Sequence, residues 1–316
     1  MERKKFSVRD VEKIAEKVRN WGKWGPNDEI GTLNYVTPDK IVEASREIKI
    51  GQVYSLSILF GPSGPQTGRF NRFNPIHLMI ATGTDASLGY QDPLKIHYAD
   101  DIVTMPLQCA TQWDALSHIF YKGKMWNGKD MHLVTVGGAR ANSIVAYKDK
   151  IVGRGVLLDA ARWKGVESLP PGFAIHASDL DSIAESEGVK IREGDFLIIR
   201  TGQMGEAMKK GWGDYAGGPA PGLSLDTAEW IWEKRVAAVA SDTWGVEVIP
   251  NEVDELFQPW HQVVIPNIGL AVGEIFYLED LSKACAKLNS YSFFFTAPPL
   301  PIEGAVGSPV NPLAIL

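Results

Sequence analysis

The chain has 316 residues, with a hydrophobic share of 45% and a charged share of 22%; these are ordinary values for a globular protein with a sizeable core, and they exclude disordered, collagen-like and coiled-coil classes. A formal net charge of -6, with no cluster of Lys and Arg beyond Arg3, Lys4 and Lys5 at the N-terminus, argues against a nucleic-acid footprint. Two cysteines, Cys109 and Cys285, are too few for a disulfide framework, and neither a leader-like apolar stretch nor a membrane-length apolar run occurs, so the expectation is a cytoplasmic protein whose partner is a small-molecule substrate, with no nucleic acid and no membrane.

Val11, Ile14, Ala15 and Val18 fall at helical spacing and predict an amphipathic helix over about 8–22, ending near Gly22. The stretch WGKWGPNDEIGTLNYV, rich in Gly, Asn and aromatics, reads as an ordered loop. Thr37 and Pro38 predict the start of a second helix, with Pro at the first helical position and Gly51 as its end. VYSLSILF follows as a strand. From Gly61 to Asp101 periodicity is weak, with HLMIAT as a strand-like run inside it; so long an irregular stretch in a compact protein marks a functional site or a subunit contact. GRGVLLD (153–159) and GDFLIIRTG (194–202) read as buried strands, and SDLDSIAESEG between them as a helix with Ser178 as N-cap and Gly188 as stop. SLDTAEWIWEKR predicts a helix capped by Ser224, followed by the strand VAAVASD (236–242). These repeated helix-then-strand units predict an α/β fold with a mixed or parallel sheet and outer helices. Asp159, Thr201 and Asp242 would stand at strand ends, where such sheets expose chemistry. The segment from Ser290 begins as a strand, and its Pro/Gly-rich continuation (about 297–316) is too apolar to hang free, so it is expected to pack on the body or a neighbouring subunit. No repeat or linker interrupts residues 1–316, which read as a single domain.

There is no GxGxxG opening a helix, no GxxxxGK[ST], no GxSxG and no HExxH, which sets phosphate-loop, dinucleotide and elbow-serine mechanisms aside. Two places carry chemistry. In QCATQWDALSH (108–118), Asp114 and His118 stand four apart, able to share a helix face or to aim at one cation from a loop. Oxygen and imidazole donors suit Zn²⁺ or Mn²⁺. The spacing alone also describes a hydrogen-bonded pair in an apolar wall, and the glutamines strengthen that reading. In WHQVVIPNIGLAVGEIF (260–276), His261 precedes Glu274 by thirteen residues. An isolated histidine in such a setting is more often core than ligand, yet a carboxylate in so apolar a run needs a cation or dense hydrogen bonding to stay ionised. Trp113, Phe120, Tyr121 and Trp126 are either an apolar wall for a planar substrate or plain core. Cys109, with no partner to lower its pKa, reads as packing.

The segments NWGKWGPNDEIGTLNYVTP, PLQCATQWDALSHIFYKGKMWNG, GRGVLLD, GDFLIIRTG, VASDTWG, HQVVIPNIGLAVGEIF and GAVGSPVNP carry a resemblance. In this order the chain resembles the cyclase-type metal-dependent hydrolases, the family of bacterial kynurenine formamidase and isatin hydrolase, and within it the longer branch with TQWD in place of THxD. The resemblance implies a swivelling β/β/α-type fold, in which a mixed sheet forms a partly closed, barrel-like core with helices outside, assembled as a homodimer or homotetramer. The family motif HxGTHxDxxxH falls on residues 108–118. Gln108 and Gln112 stand where its two leading histidines bind metal, Ala110 replaces its Gly, and Thr111 is kept. Asp114 matches the metal-binding Asp, and His118 the histidine that transfers protons. His261 and Glu274 match the distal ligands. With two ligands replaced, the resemblance implies one divalent ion, Zn or Mn, on Asp114, His261 and Glu274, with Gln112 adding a carbonyl oxygen. His118 would then serve as general base and acid while an activated water opens or cleaves an amide, imide or lactam of a small cyclic or aryl substrate. The same residues would serve a lactone or ester, and the replaced ligands leave a metal-free binding protein as the alternative outside catalysis.

Overall fold

A computed structural model describes residues 5–316. Of the basic N-terminal group, Arg3 and Lys4 lie outside the described residues, and Lys5 pairs with Asp254. Nine strands form one sheet, in the order Val53–Ser55, Leu313–Ile315, Ser292–Thr296, Val152–Asp159, Phe196–Arg200, Ala238–Ser241, Ala271–Glu274, Gln112–Asp114 and Gly307–Pro309. The four strands from Val152–Asp159 to Ala271–Glu274 run parallel, and antiparallel strands flank them on both sides. The sheet curls into a half-barrel with helices outside. The parallel strands are buried on both faces, which is why FLIIR and AVAS are near-continuous apolar runs rather than alternating ones. Gly155 lets a neighbouring strand's ring lie flat on the backbone: a Cβ there would stand 2.2 Å from the Phe293 ring.

The predicted elements are present, with shifted ends. The first helix is Val8–Lys17, opened by a reciprocal Ser7 and Asp10 cap. It stops short of Gly22 because the next backbone groups bond elsewhere, Asn20 N–H donating to Asn267 O at 2.9 Å. Pro38–Ala44 begins as predicted, but the Thr37 side chain makes no capping bond, and a 3₁₀ turn over Ser45–Glu47 closes the segment before Gly51. The strand expected over 53–60 is three residues long, matching the three residues of its partner. Ser178 is not a cap: the helix Ala177–Ser186 starts two residues earlier than that cap implies, with His176 in the capping position and its N–H donating to Asp179 at 2.9 Å. Ser224 does not cap Thr227–Lys234 either, because Asp226 holds that position and the Ser224 hydroxyl donates to buried Glu252 at 2.8 Å. The Pro/Gly-rich segment supplies two strands of the sheet, Gly307–Pro309 and Leu313–Ile315. HLMIAT, except for Thr82, lies in Ile76–Ala81, which pairs with Asp100–Thr104 in a hairpin outside the main sheet.

Asp159, Thr201 and Asp242 are consumed by the fold and are not offered to a substrate. Asp242 accepts the Thr201 N–H and hydroxyl at 2.8 Å and the Gly202 N–H at 2.7 Å, with burial pushing its carboxyl up to about 6. Asp159 accepts from Arg200 at 2.8 Å. Among the described residues no helix is long and apolar enough to cross a membrane.

Candidate metal centre

The site is built where Gln112–Asp114 pairs antiparallel with Ala271–Glu274, in a register that sets Gln112 opposite Glu274 and Trp113 opposite Gly273. Strand alternation then sends Gln112 and Asp114 to one face and Trp113 to the other. Trp113 is fully buried, edge-on to Phe276, with its indole N–H donating to Ala297 O at 3.0 Å. Gly273 is required beneath it, since a Cβ would stand 2.8 Å from Trp113 and from Ala240. Thr111 fastens the start of this pairing: its hydroxyl donates to Ile275 O at 2.6 Å and accepts from Ile58 N–H at 3.0 Å.

His261 arrives from the short helix Pro259–Val263, which continues into a π-helical turn over Val264–Ile268. Ligand atoms of Asp114, His261 and Glu274 all lie within 4.8 Å of one another, and all three residues are buried. Gln112 Nε2 donates to Glu274 Oε2 at 2.6 Å, and His261 Nε2 lies 3.3 Å from Glu274 Oε1. Both Asp114 carboxylate oxygens, His261 Nε2 and Gln112 Oε1 are buried without a hydrogen-bond partner. Buried polar atoms are normally satisfied, each orphan costing roughly 1–3 kcal/mol, so four in one place fit a missing cation. The charges say the same. Burial, and then the neighbouring Glu274, push the Asp114 carboxyl well above the usual carboxylate range. Burial opposes a proton on His261, but the hydrogen bond to Glu247 and the nearby Glu274 carboxylate outweigh it and raise the imidazole to about 10.

Glu247 was not found from the sequence. Its Oε1 is 2.6 Å from His261 Nδ1 and accepts the His261 N–H at 3.0 Å, while Oε2 accepts from Trp260 N–H and from Asn251. It thereby fixes the imidazole with Nε2 toward Asp114 and Glu274, the arrangement that orients metal-binding histidines. The signal was present in GVEVIP, a carboxylate set among apolar residues like Glu274. Arg72 and Tyr147 were also missed. The Arg72 charge is felt at both Asp114 and His118, and the Tyr147 hydroxyl is buried, unpartnered and within the field of Asp114.

His118 follows the strand, its Nε2 3.7 Å from Asp114 Oδ1 and its side chain 21% exposed. Burial, then the Arg72 charge, lower its imidazole to about 4, so it is neutral at neutral pH and able to accept a proton. The Gln108 amide packs over Gly307, the residue paired with Asp114 across the two strands. Of the four aromatics left open between substrate wall and core, two belong to the core: Trp113, as above, and Trp126, fully buried beside Gly269 with its indole N–H on Asp28. Tyr121 lies in the field of Glu12 and Arg19, toward the first helix, and Phe120 is over a third exposed. Burial pushes the Cys109 thiol up to about 11, which suits packing. A surface cleft of about 690 Å³ is lined by Arg162, Arg200, Lys209 and Glu279 and holds none of the converging residues; Arg200 there is already paired with Asp159 and Glu279.

The chain is similar in structure to a protein described as a novel cyclase, at 39% identity and a TM-score of 0.86, covering 94% of this chain and 99% of that one. It shares its fold with isatin hydrolase A from Ralstonia solanacearum (18% identity, TM-score 0.61, 83% and 91% covered). The same holds for a predicted metal-dependent hydrolase from Bacillus stearothermophilus (18% identity, TM-score 0.55, 84% and 98% covered). No protein with a curated description matches the sequence. The sequence profile of the Cyclase family matches residues 37–248, and with the 39% identical structure it establishes that this chain belongs to the Cyclase family.

Proposed function

We propose that the protein is a metal-dependent hydrolase that opens or cleaves a C–N bond in an amide, imide or lactam of a small cyclic or aryl substrate. The observation that carries this reading is the convergence of Asp114, His261 and Glu274 with unpartnered buried donor atoms. The shared fold with isatin hydrolase supports the substrate class. Asp114, His261 and Glu274 would hold one divalent ion, Zn or Mn, with Gln112 Oε1 close enough in the strand pairing to assist. Such an ion polarises a carbonyl and makes water a competent nucleophile near neutral pH.

The chain's own residues do the rest. Gln112 holds Glu274 by its amide N–H, and Glu247 holds His261. His118, neutral and beside Asp114, accepts the proton of the attacking water and returns it to the leaving nitrogen. Both cysteines are unpaired and buried, which supports a reducing, cytoplasmic setting. The test is turnover of a panel of small lactams, imides and aryl amides beside matched lactones and esters, with metal-loaded and metal-stripped protein. Hydrolysis of the nitrogen substrates only when metal is present supports the reading. Turnover of the oxygen esters alone moves the reaction to lactones, and no turnover with any member removes the catalytic assignment.

A further inference from the structure

Arg72 stands beside the metal centre with no charge opposite it. Its Nη1 donates to the Gln108 carbonyl at 3.4 Å, a long bond, and no carboxylate of the described residues pairs with it. Arg154 and Arg200, by contrast, are each held by two carboxylates. The Arg72 charge nevertheless reaches Asp114 and His118. An unpaired cation so placed opposes both a metal ion and a proton on the imidazole, which a role in the fold alone would not require.

The loop around Arg72 is built to hold it there. Gln66 Nε2 donates to the Cys109 carbonyl at 2.8 Å, and the Gln66 N–H donates to Asn74 Oδ1 at 2.9 Å, which ties segment 66–74 to the approach of the strand carrying Gln112 and Asp114. Arg69 donates to the Gly217 carbonyl. Between these anchors Phe70 and Asn71 take φ of 56° and 57°, a region that a bulky side chain enters only where its surroundings impose it. The Phe70 ring lies 5.9 Å from Trp244 and 6.0 Å from Phe257, and the Arg72 guanidinium lies 5.7 Å from the same ring. Trp244 packs with Cys109, Ala110 and Ile275, the chain neighbours of the site's two strands, and Phe257 precedes His261 by four residues. Phe70 and Phe257 are 54% and 52% exposed, open rings on the site's side of the fold where Trp113 and Trp126 are closed.

We propose that Arg72 binds a carboxylate on an aromatic substrate whose ring lies against Phe70 and Phe257, so that the substrate class is an aryl amide that is itself an acid. A planar guanidinium presents paired N–H donors that match a carboxylate, and the exposed rings offer an apolar face to an aryl group. The substrate anion supplies the charge that Arg72 lacks in the free protein. The inference rests on the hydrolase reading above only for the bond that is cut; recognition of the acid stands on Arg72 and the two rings.

Benzoate and its neutral counterpart benzamide test this recognition without turnover. Calorimetric titration of the full chain in the presence of Zn²⁺ should show benzoate bound more tightly than benzamide. Arg72→Gln should weaken benzoate by about 10–100-fold, the usual worth of hydrogen bonds to a charged group, and leave benzamide unchanged. Should that variant misfold, the wild-type protein decides: benzoate, and not benzamide, should slow the modification of Arg72 by phenylglyoxal, read at that residue by mass spectrometry. No preference for benzoate in the wild type, benzoate affinity untouched by Arg72→Gln, an equal loss for both ligands, or modification of Arg72 that ignores benzoate overturns the proposal. Discrimination through Arg72 in a protein that cleaves no amide would remove the hydrolase reading and leave this inference standing.

Discussion

Gln112 and Glu274 face each other across two paired strands, and the Gln112 amide donates to the Glu274 carboxylate at 2.6 Å. The contact leaves Glu274 Oε1 turned toward His261 and Gln112 Oε1 without a partner. In Gln112→Ala, Glu274 loses its bracket as well as any help from the amide oxygen. Losing a partner that orients a metal ligand typically costs about 10–100-fold in metal affinity. Competition with a chelator measures this, and unchanged affinity would show that the bracket is idle.

Glu247→Gln tests the orientation of His261 separately. The amide can keep one hydrogen bond to Nδ1, but the charge beside the imidazole is gone, so metal affinity should fall by about 10-fold, and by more in Glu247→Ala. The same competition measurement applies. Equal loss in both variants would mean that only packing was lost.

His118→Ala should reduce kcat by about 10²–10⁴-fold, the usual contribution of a positioned acid or base, with metal content unchanged by elemental analysis. A variant that loses its metal would place His118 among the ligands instead.

Trp113→Ala separates core from substrate wall. Removing a fully buried tryptophan should cost about 3–5 kcal/mol of stability, read by urea unfolding, while KM of the surviving folded protein stays near the wild-type value. A large rise in KM with little loss of stability would return Trp113 to the substrate pocket.

Glu187 gives a pH signature away from the site. Its Oε1 accepts the Asp159 N–H at 2.9 Å, its Oε2 is buried without a partner, and burial raises the carboxyl to about 8. The folded chain therefore holds a proton that the unfolded chain releases near its ordinary value of 4.5. This contribution to stability is fully present below that value and is lost as pH rises through about 8. Glu187→Gln should remove this slope, raising Tm by about 2 °C at pH 8 and leaving it unchanged near pH 4. An identical shift at both pH values would contradict the assignment.

Asp114 and Glu274 were legible in the sequence because charge in an apolar context is costly, and motif order tied them to His118 and His261. The same logic applied to Glu247 but was not used, since its partner lies fourteen residues on, in another element. Trp113 stayed open between substrate wall and core because a three-residue strand is too short to reveal its alternation, so nothing in TQWD says which side chain faces the core. Caps moved for a related reason: Ser224 is a good capping residue by type, but its hydroxyl is claimed by Glu252, a tertiary partner no local rule anticipates. The hairpin at 76–104 hid in weak periodicity because it is exposed on both faces, so no buried side imposed a pattern.

The central claim is that Asp114, His261 and Glu274 grip one ion. Crystals of the protein grown with Zn²⁺ or Mn²⁺, with diffraction recorded on either side of the metal absorption edge, test it most directly. The account predicts one anomalous peak per chain, within bonding distance of an Asp114 oxygen, His261 Nε2 and a Glu274 oxygen. No peak there at full metal saturation, with those atoms bonded to one another or to water, would contradict it.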